Sequence, residues 1–178
     1  MCIRDRDRYY QTALKYNSKN IMRITSDCIL MDVNIVDDMI KYYNENKYNY
    51  LYVSNPNIKD IGGNNPSGLG FPDGCNPEII SFKYLAISNN DAVLNHDREH
   101  VTSFVRKKYK NIINKYNIIL NNKYNNLDLS KLHLSLDTKK DFKLIKTIYD
   151  NLYKKNNYFN IYDILIFLNE NSHLLLKK

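Results

Sequence analysis

Apolar positions along the chain fall into short segments with two distinct periods. Asp7 to Asn17 carries Tyr10, Ala13 and Leu14 at helical spacing, and Asn20 to Thr25 reads as a short strand. Residues 33 to 46 predict a second helix with the stripe Ile35, Val36, Met39, Ile40 and Tyr43, and Asp32 stands where an N-cap belongs. Tyr50 to Ser54 is rich in β-forming residues. Glu78 to Phe82 predicts another strand, followed by helices over Lys83 to Asp91 and over His96 to Lys108, the latter with Val101, Phe104 and Val105 inward. Tyr116 to Leu120 predicts a strand. Lys131 to Leu136 alternates, with Leu132, Leu134 and Leu136 on one side and His133, Ser135 and Asp137 on the other. Thr138 to Tyr153 predicts a helix with Phe142, Ile145, Ile148, Tyr149 and Leu152 as its stripe, and Thr138 with Asp141 resembles a capping box. A last helix spans Asn160 to Asn169. Strands alternating with helices favour an α/β domain.

Between the second and third strands, Asn55 to Gly74 concentrates Gly62-Gly63, Asn65-Pro66, Gly68, Gly70 and Pro72-Asp73-Gly74. A connection this long is either a wide hairpin or a lid. It has no Walker lysine and serine, so it is not a P-loop.

Two acidic positions stand where extended segments stop. They are Asp27, in Arg23-Ile24-Thr25-Ser26-Asp27-Cys28, and Asp137, in Ser135-Leu136-Asp137-Thr138. The carboxyl ends of strands border the ligand crevice of an α/β domain. Two carboxylates meeting there would hold a divalent metal, which commonly engages phosphate. Each also has a structural role open to it, Asp27 as a turn residue and Asp137 as the negative charge at a helix start.

Composition narrows the function. At 178 residues the chain is long enough for one domain with a real core. Its net charge of +7 raises the question of nucleic acid, but the lysines are dispersed over polar helix faces and no recognised module is present, so no nucleic-acid partner is expected. Three cysteines, Cys2, Cys28 and Cys75, without CxxC spacing argue against a disulfide framework and fit a reducing cytoplasm. No apolar run reaches the length of a membrane span. His96 and His100 have HxxxH spacing without a third ligand at a metalloprotease distance, so zinc is not expected. The opening six residues, Met1-Cys2-Ile3-Arg4-Asp5-Arg6, differ in character from the rest and resemble a translated sequencing-adapter scar. They are set apart as 1–6, and residues 7–178 are read as the domain.

The segments around Asp27 and Asp137, with Pro72-Asp73-Gly74, Glu78 and Asp97-Arg98-Glu99-His100-Val101-Thr102 in order between them, resemble the acylneuraminate and 3-deoxy-manno-octulosonate cytidylyltransferases. The branch of spore-coat polysaccharide biosynthesis proteins is the most similar. The resemblance covers Asp7 to about Leu168. It implies a three-layer nucleotide-diphospho-sugar transferase (Rossmann-like) domain, here lacking its first strand-loop-helix unit. It implies transfer of CMP from CTP to an acidic sugar, an ulosonic or nonulosonic acid, with release of pyrophosphate and with Mg²⁺ as cofactor. Asp27 and Asp137 would hold the metal. Arg23, Ser26, Asp73, Glu78, Arg98, Glu99 and His100 would contact substrate, and a homodimer is expected. The family's opening Gly/Arg loop with its Pro-Gly-Lys-like end has no counterpart, so an N-terminally truncated chain that binds CTP poorly on its own is expected. His133 stands where the family commonly has arginine, Ile29 where it has proline, and Asn76-Pro77 where it has Asp-Val. The competing reading from another class is a non-catalytic sugar-binding or assembly subunit of the same fold.

Overall fold

The computed structural model describes residues 5–54, 71–117 and 132–175. The first helix, α1 (Asp5–Lys15), begins in the segment set apart on sequence grounds: Arg6 is 2% exposed. Strand β1 (Asn20–Arg23) and helix α2 (Val33–Asn46) follow, then strands β2 (Tyr50–Ser54) and β3 (Glu78–Ser81) and helices α3 (Phe82–Asp91), α4 (Asn95–Glu99) and α5 (Ser103–Lys108). A 3₁₀ turn over Lys110–Ile112 leads into strand β4 (Ile113–Asn117). Helices α6 (Lys139–Leu152) and α7 (Ile161–Glu170) and a final 3₁₀ turn over Ser172–Leu175 complete the order. No helix among the described residues is long and apolar enough to cross a membrane.

The strands form one sheet in the order β1-β3-β2-β4. β3 is antiparallel to both neighbours, pairing Arg23 with Glu78 on one side and Tyr52 with Glu78 on the other. Because β2 and β3 are adjacent and antiparallel, the Gly-rich connection joins a wide hairpin; its residues 55–70 lie outside the described ones. Chain contacts divide the molecule into two compact units. The first holds the described residues within Met1–Arg23, Ile40–Tyr52 and Glu78–Lys115; the second holds those within Ile24–Met39, Val53–Pro77 and Tyr116–Lys178.

In the first unit the core gathers Leu51, Ile79, Ile80, Leu85, Val101 and Val105, all nearly or fully buried. α1 and α2 each end in a left-handed residue, Asn17 and Lys47, which lets the next amide reach back to Ala13 and to Tyr43 respectively. Arg6 donates to the carbonyls of Ala92 and Asp97, stitching α1 to the α3–α4 turn. Leu14 and Ile40, assigned to apolar stripes by spacing, are exposed.

The helix expected over His96 to Lys108 is broken into α4 and α5. Val101, Thr102 and Ser103 are all buried. Successive helical residues point about 100° apart, so no continuous helix buries three in a row on one face. The chain leaves helical geometry at His100 instead, and the carboxylate of Asp97 takes the Ser103 hydroxyl across the break.

In the second unit Leu134, Ile145, Ile148, Ile161, Ile164 and Leu165 form the core. Asp32 caps α2 as expected: one carboxylate oxygen accepts the Asn34 amide at 2.9 Å, while the other accepts the Ile161 amide at 3.0 Å, so one buried group serves the starts of α2 and α7. α6 opens with the anticipated capping box of Thr138 and Asp141, and α7 with another from Asn160 and Asp163. Phe142 and Tyr149 are exposed, so the buried face of α6 is narrower than its apolar stripe.

Two strand assignments shift. The strand expected over Tyr116–Leu120 begins at Ile113, and residues 118–120 lie outside the described ones. Residues 132–136 do not form a strand but a single parallel bridge, Asp73 to His133. Ser135, expected on the polar side, is buried because Gly74 lies against it.

Candidate functional site

The second unit contains both carboxylates that the sequence singles out. Asp27 lies in the turn after β1, and its carbonyl accepts the Leu136 amide at 3.0 Å, one residue before Asp137. The Asp27 and Asp137 backbones are therefore neighbours, although 110 positions separate them in sequence. Their carboxylates have different partners. Asp27 accepts a weak bond from the Cys28 thiol at 3.7 Å. Asp137 is held by His133, whose Nε2 lies 3.0 Å from its carboxylate.

His133 is the centre of this group. Its Nδ1 lies 3.0 Å from Asp73, and Nε2 is also 3.9 Å from Asp141. One imidazole thus faces the carboxylates of Asp73, Asp137 and Asp141. The backbone sets this geometry. The Asp73 amide donates to the Leu132 carbonyl at 3.2 Å and the Leu134 amide donates to the Asp73 carbonyl at 2.8 Å, which fixes His133 opposite Asp73. The approach requires Gly74, at φ +87°, because any Cβ there would meet the Ser135 amide and the Leu134 carbonyl. Burial pushes the Asp141 carboxyl up, but hydrogen bonds from Thr138 and the nearby His133 outweigh it and hold the group below the usual range.

Neither described cysteine is poised as a nucleophile. Burial raises both thiols, and Cys75 donates to the Leu30 carbonyl at 3.6 Å. Ser26 is exposed.

In the first unit, Glu78 is buried and engaged from three directions. Thr102 donates its hydroxyl at 2.7 Å, and the Arg23 and Arg106 guanidiniums lie 3.7 and 3.6 Å away. Arg23 arrives by strand register, as the direct cross-strand partner of Glu78. Thr102 and Arg106 arrive together, because the Arg106 amide bonds the Thr102 carbonyl and places them one helical turn apart. The Tyr50 hydroxyl is buried nearby without a hydrogen bond of normal geometry, and burial raises its pKa well above the usual value.

Asp97 forms a further cluster with Ser103, Lys107 and His96. Burial works against its charge, but hydrogen bonds from Lys107, Ser103 and His96 prevail and lower its pKa to about 2. The His96 and His100 rings are 4.4 Å apart. His100 is half-buried, and burial, then His96, lowers its pKa below the usual value. Arg98 is exposed and Glu99 half-buried.

The sequence selects Arg23, Glu78, Arg98, Glu99 and His100 in this unit, but not Arg106, Thr102 or Asp97, as site residues. The burial of Val101, Thr102 and Ser103 that accompanies the helix break is visible only in the structure. A groove of about 340 Å³ between α1 and β1, lined by Arg8, Tyr9, Thr12, Asn20, Ile21 and Met22, contains none of the selected residues.

The Mg²⁺ implied by the resemblance needs one or two carboxylates, with phosphate and water completing its octahedron. Among the described residues no group of three or more His, Cys, Asp or Glu side chains is placed to hold a metal. Asp27 and Asp137, on neighbouring turns, are the two carboxylates that would hold it.

No protein-family model matches the chain. It is 27% identical over 170 residues to the uncharacterized protein MJ1063 of Methanocaldococcus jannaschii, covering 94% of this chain and 60% of that protein. The chain thus spans about 60% of the length of this curated relative. It is also similar to a solved cytidylyltransferase from Leptospira borgpetersenii serovar Hardjo-bovis, with a TM-score of 0.76 and 23% identity, over 100% of this chain and 67% of that one. The chain has the mixed α/β fold of that cytidylyltransferase, as the sequence motifs implied.

Proposed function

We propose that the chain belongs to a nucleotidyltransferase that moves CMP from CTP to an acidic sugar, an ulosonic or nonulosonic acid, in the synthesis of a surface polysaccharide. The observation that carries this reading is the hydrogen bond from Leu136 to Asp27, which sets the two motif aspartates on adjacent turns of one compact unit. The shared fold with a cytidylyltransferase supports it.

In the proposed reaction a sugar hydroxyl oxygen forms a bond to the α-phosphorus of CTP, and the bond from that phosphorus to pyrophosphate breaks. Asp27 and Asp137 would hold Mg²⁺, which when bound supplies charge neutralisation for the phosphates. His133 has a separate task. By contacting Asp73 and Asp137 through opposite ring nitrogens, it fixes the direction of both carboxylates.

The test expresses the full reading frame containing this chain. Pyrophosphate release is measured with CTP, Mg²⁺ and a panel of ulosonic and nonulosonic acids, beside the Leptospira enzyme. Release with at least one acid is expected. Asp27→Asn and Asp137→Asn should each lower it by a factor of 100 or more, roughly the loss expected on removing a metal or transition-state contact. Release unaffected by both substitutions would remove the metal assignment. No release with any acid would favour a non-catalytic subunit.

A further inference from the structure

We propose that His133 is itself a ligand of the divalent cation, offering Nε2 beside the Asp137 carboxylate, with Asp73 as the carboxylate that aims the ring. The role rests on the reading that Asp137 holds a metal. It adds a nitrogen to an otherwise all-oxygen donor set, and with it a preference for an ion such as Co²⁺ over Mg²⁺.

Each ring nitrogen of His133 lies 3.0 Å from a carboxylate oxygen, but the two contacts are not equivalent. Nδ1 and Asp73 are hydrogen-bonded. Asp73 is fixed for this contact, because its other oxygen accepts the Gly74 amide at 3.1 Å and its backbone bonds Leu132 and Leu134. Its side chain is also the less exposed of the two carboxylates, at 28% against 45% for Asp137. A neutral imidazole has one N–H and one lone pair, and the hydrogen bond at one nitrogen decides which carries the proton. Held by Asp73, the proton sits on Nδ1, and the lone pair of Nε2 faces Asp137.

An ionised carboxylate has only lone pairs to offer in return. Two acceptors this close repel unless a proton or a cation is shared between them. Adjacent donors around a cation, with bonds of about 2.1 Å at right angles, stand about 3.0 Å apart, which is the separation of Nε2 from Asp137. A carboxylate on the far nitrogen is the usual support of a ligating histidine, and Asp73 occupies that place. Asp141 is committed elsewhere: one of its oxygens takes the Thr138 amide and hydroxyl at 2.7 Å each. Asp27 joins the pair only by a turn of its side chain, since no three such side chains among the described residues are placed around one ion.

Carboxylate and water suit Mg²⁺, whereas imidazole suits later first-row ions. Arginine, common at this position in the family that the chain resembles, has no lone pair to give. A purely structural ion pair, with the ring protonated on both nitrogens, makes the opposite prediction: arginine would serve as well as histidine, and no ion would seek Nε2.

The experiment titrates the whole chain with Co²⁺ alone and with Mg²⁺ alone by calorimetry, without nucleotide and at constant ionic strength. Proton NMR of the Co²⁺ form is recorded in water and in D₂O. Co²⁺ should bind at least about tenfold more tightly than Mg²⁺, with a hyperfine-shifted ring N–H signal that vanishes in D₂O. His133→Gln and His133→Arg should each abolish that signal and weaken Co²⁺ at least about tenfold, with Mg²⁺ changed by less than about threefold. Asp73→Asn should weaken Co²⁺ by about 10–100-fold, the range for a lost orienting carboxylate. Should the His133 variants fail to fold, His96→Gln removes the exposed competing imidazole and the signal should persist, whereas Asp137→Asn should abolish it. A signal that survives loss of His133 or vanishes with His96, or a Co²⁺ affinity that depends on Asp137 but not on His133, overturns this role alone and leaves the proposed reaction standing. Binding of neither ion, or binding indifferent to Asp137→Asn, removes the metal assignment and this role with it.

Discussion

The Glu78 cluster of the first unit and the His133 cluster of the second use the same chemistry in opposite proportion. In the first, one carboxylate faces two guanidiniums. In the second, one imidazole faces three carboxylates. Their burial differs too: the Glu78 side chain is 8% exposed, whereas Asp137 is 45% exposed. Buried charges are screened weakly and are costly to leave unpaired, while exposed pairs are weak and salt-sensitive. The first cluster is thus a rigid feature with excess positive charge. The second is an adjustable one with excess negative charge, whose carboxylates can exchange partners at little cost.

The contrast breaks most sharply at Gly74. Its positive φ and its approach to the Leu134–Ser135 backbone leave no room for Cβ. Gly74→Ala should cost about 3 kcal/mol or more, by strain and by separating Asp73 from His133. Urea denaturation measures the loss. A cost below about 1 kcal/mol would mean that backbone approach does not hold the second cluster together.

Next in size is Asp97→Ala in the first unit. The substitution deprives the Ser103 hydroxyl and Lys107 of their acceptor and frees the α4–α5 break. A loss of about 2–3 kcal/mol is expected, since a buried donor is left unsatisfied. The pH dependence has a definite sign. Asp97 titrates at about 2 in the folded chain against an ordinary 3.8, so its contribution is present above pH 4 and is lost as pH falls toward 2. After discounting for solvent screening the change is roughly 1 kcal/mol. Wild type should show this acid-side decline, and the alanine variant should lack it.

His133→Ala tests the adjustable cluster directly. With the imidazole removed, Asp73, Asp137 and Asp141 repel one another without a shared partner. The expected cost is about 1 kcal/mol at low salt, shrinking in 1 M NaCl as exposed charges are screened. A cost of several kcal/mol that ignores salt would make this cluster rigid as well, and the contrast with Glu78 would fail.

These clusters show where sequence reading stops. Local signals were legible: Thr138 with Asp141 and Asp32 ahead of α2 are caps whose partners lie within three residues. The alternation around His133 separated most core positions from polar ones but missed the burial of Ser135, which depends on a glycine 61 positions upstream. The pairing of Arg23 with Glu78 follows from strand register across 55 positions, which periodicity does not encode. Arg106 escaped notice because the expected continuous helix hides the break that turns it toward Glu78. Family-like motifs named Asp27 and Asp137, yet gave no hint that His133 would hold one of them.

The smallest expected effect is the most local. Thr138 accepts the amides of Lys140 and Asp141 at 3.2 and 3.3 Å, and Asp141 accepts the Thr138 amide at 2.7 Å in return. Thr138→Ala removes the hydroxyl half of this exchange and should cost about 0.5–1 kcal/mol. The Asp141 amide is the weak point of the variant, since it loses the Thr138 hydroxyl as acceptor. Fraying there would act beyond stability, because Asp137 lies just ahead of the cap and takes its direction from the chain entering α6. If the second cluster is adjustable, the variant should retain the His133–Asp137 contact, and histidine NMR shifts should be nearly unchanged beside a modest loss in urea midpoint. Displaced His133 signals would show instead that the cap fixes the carboxylate.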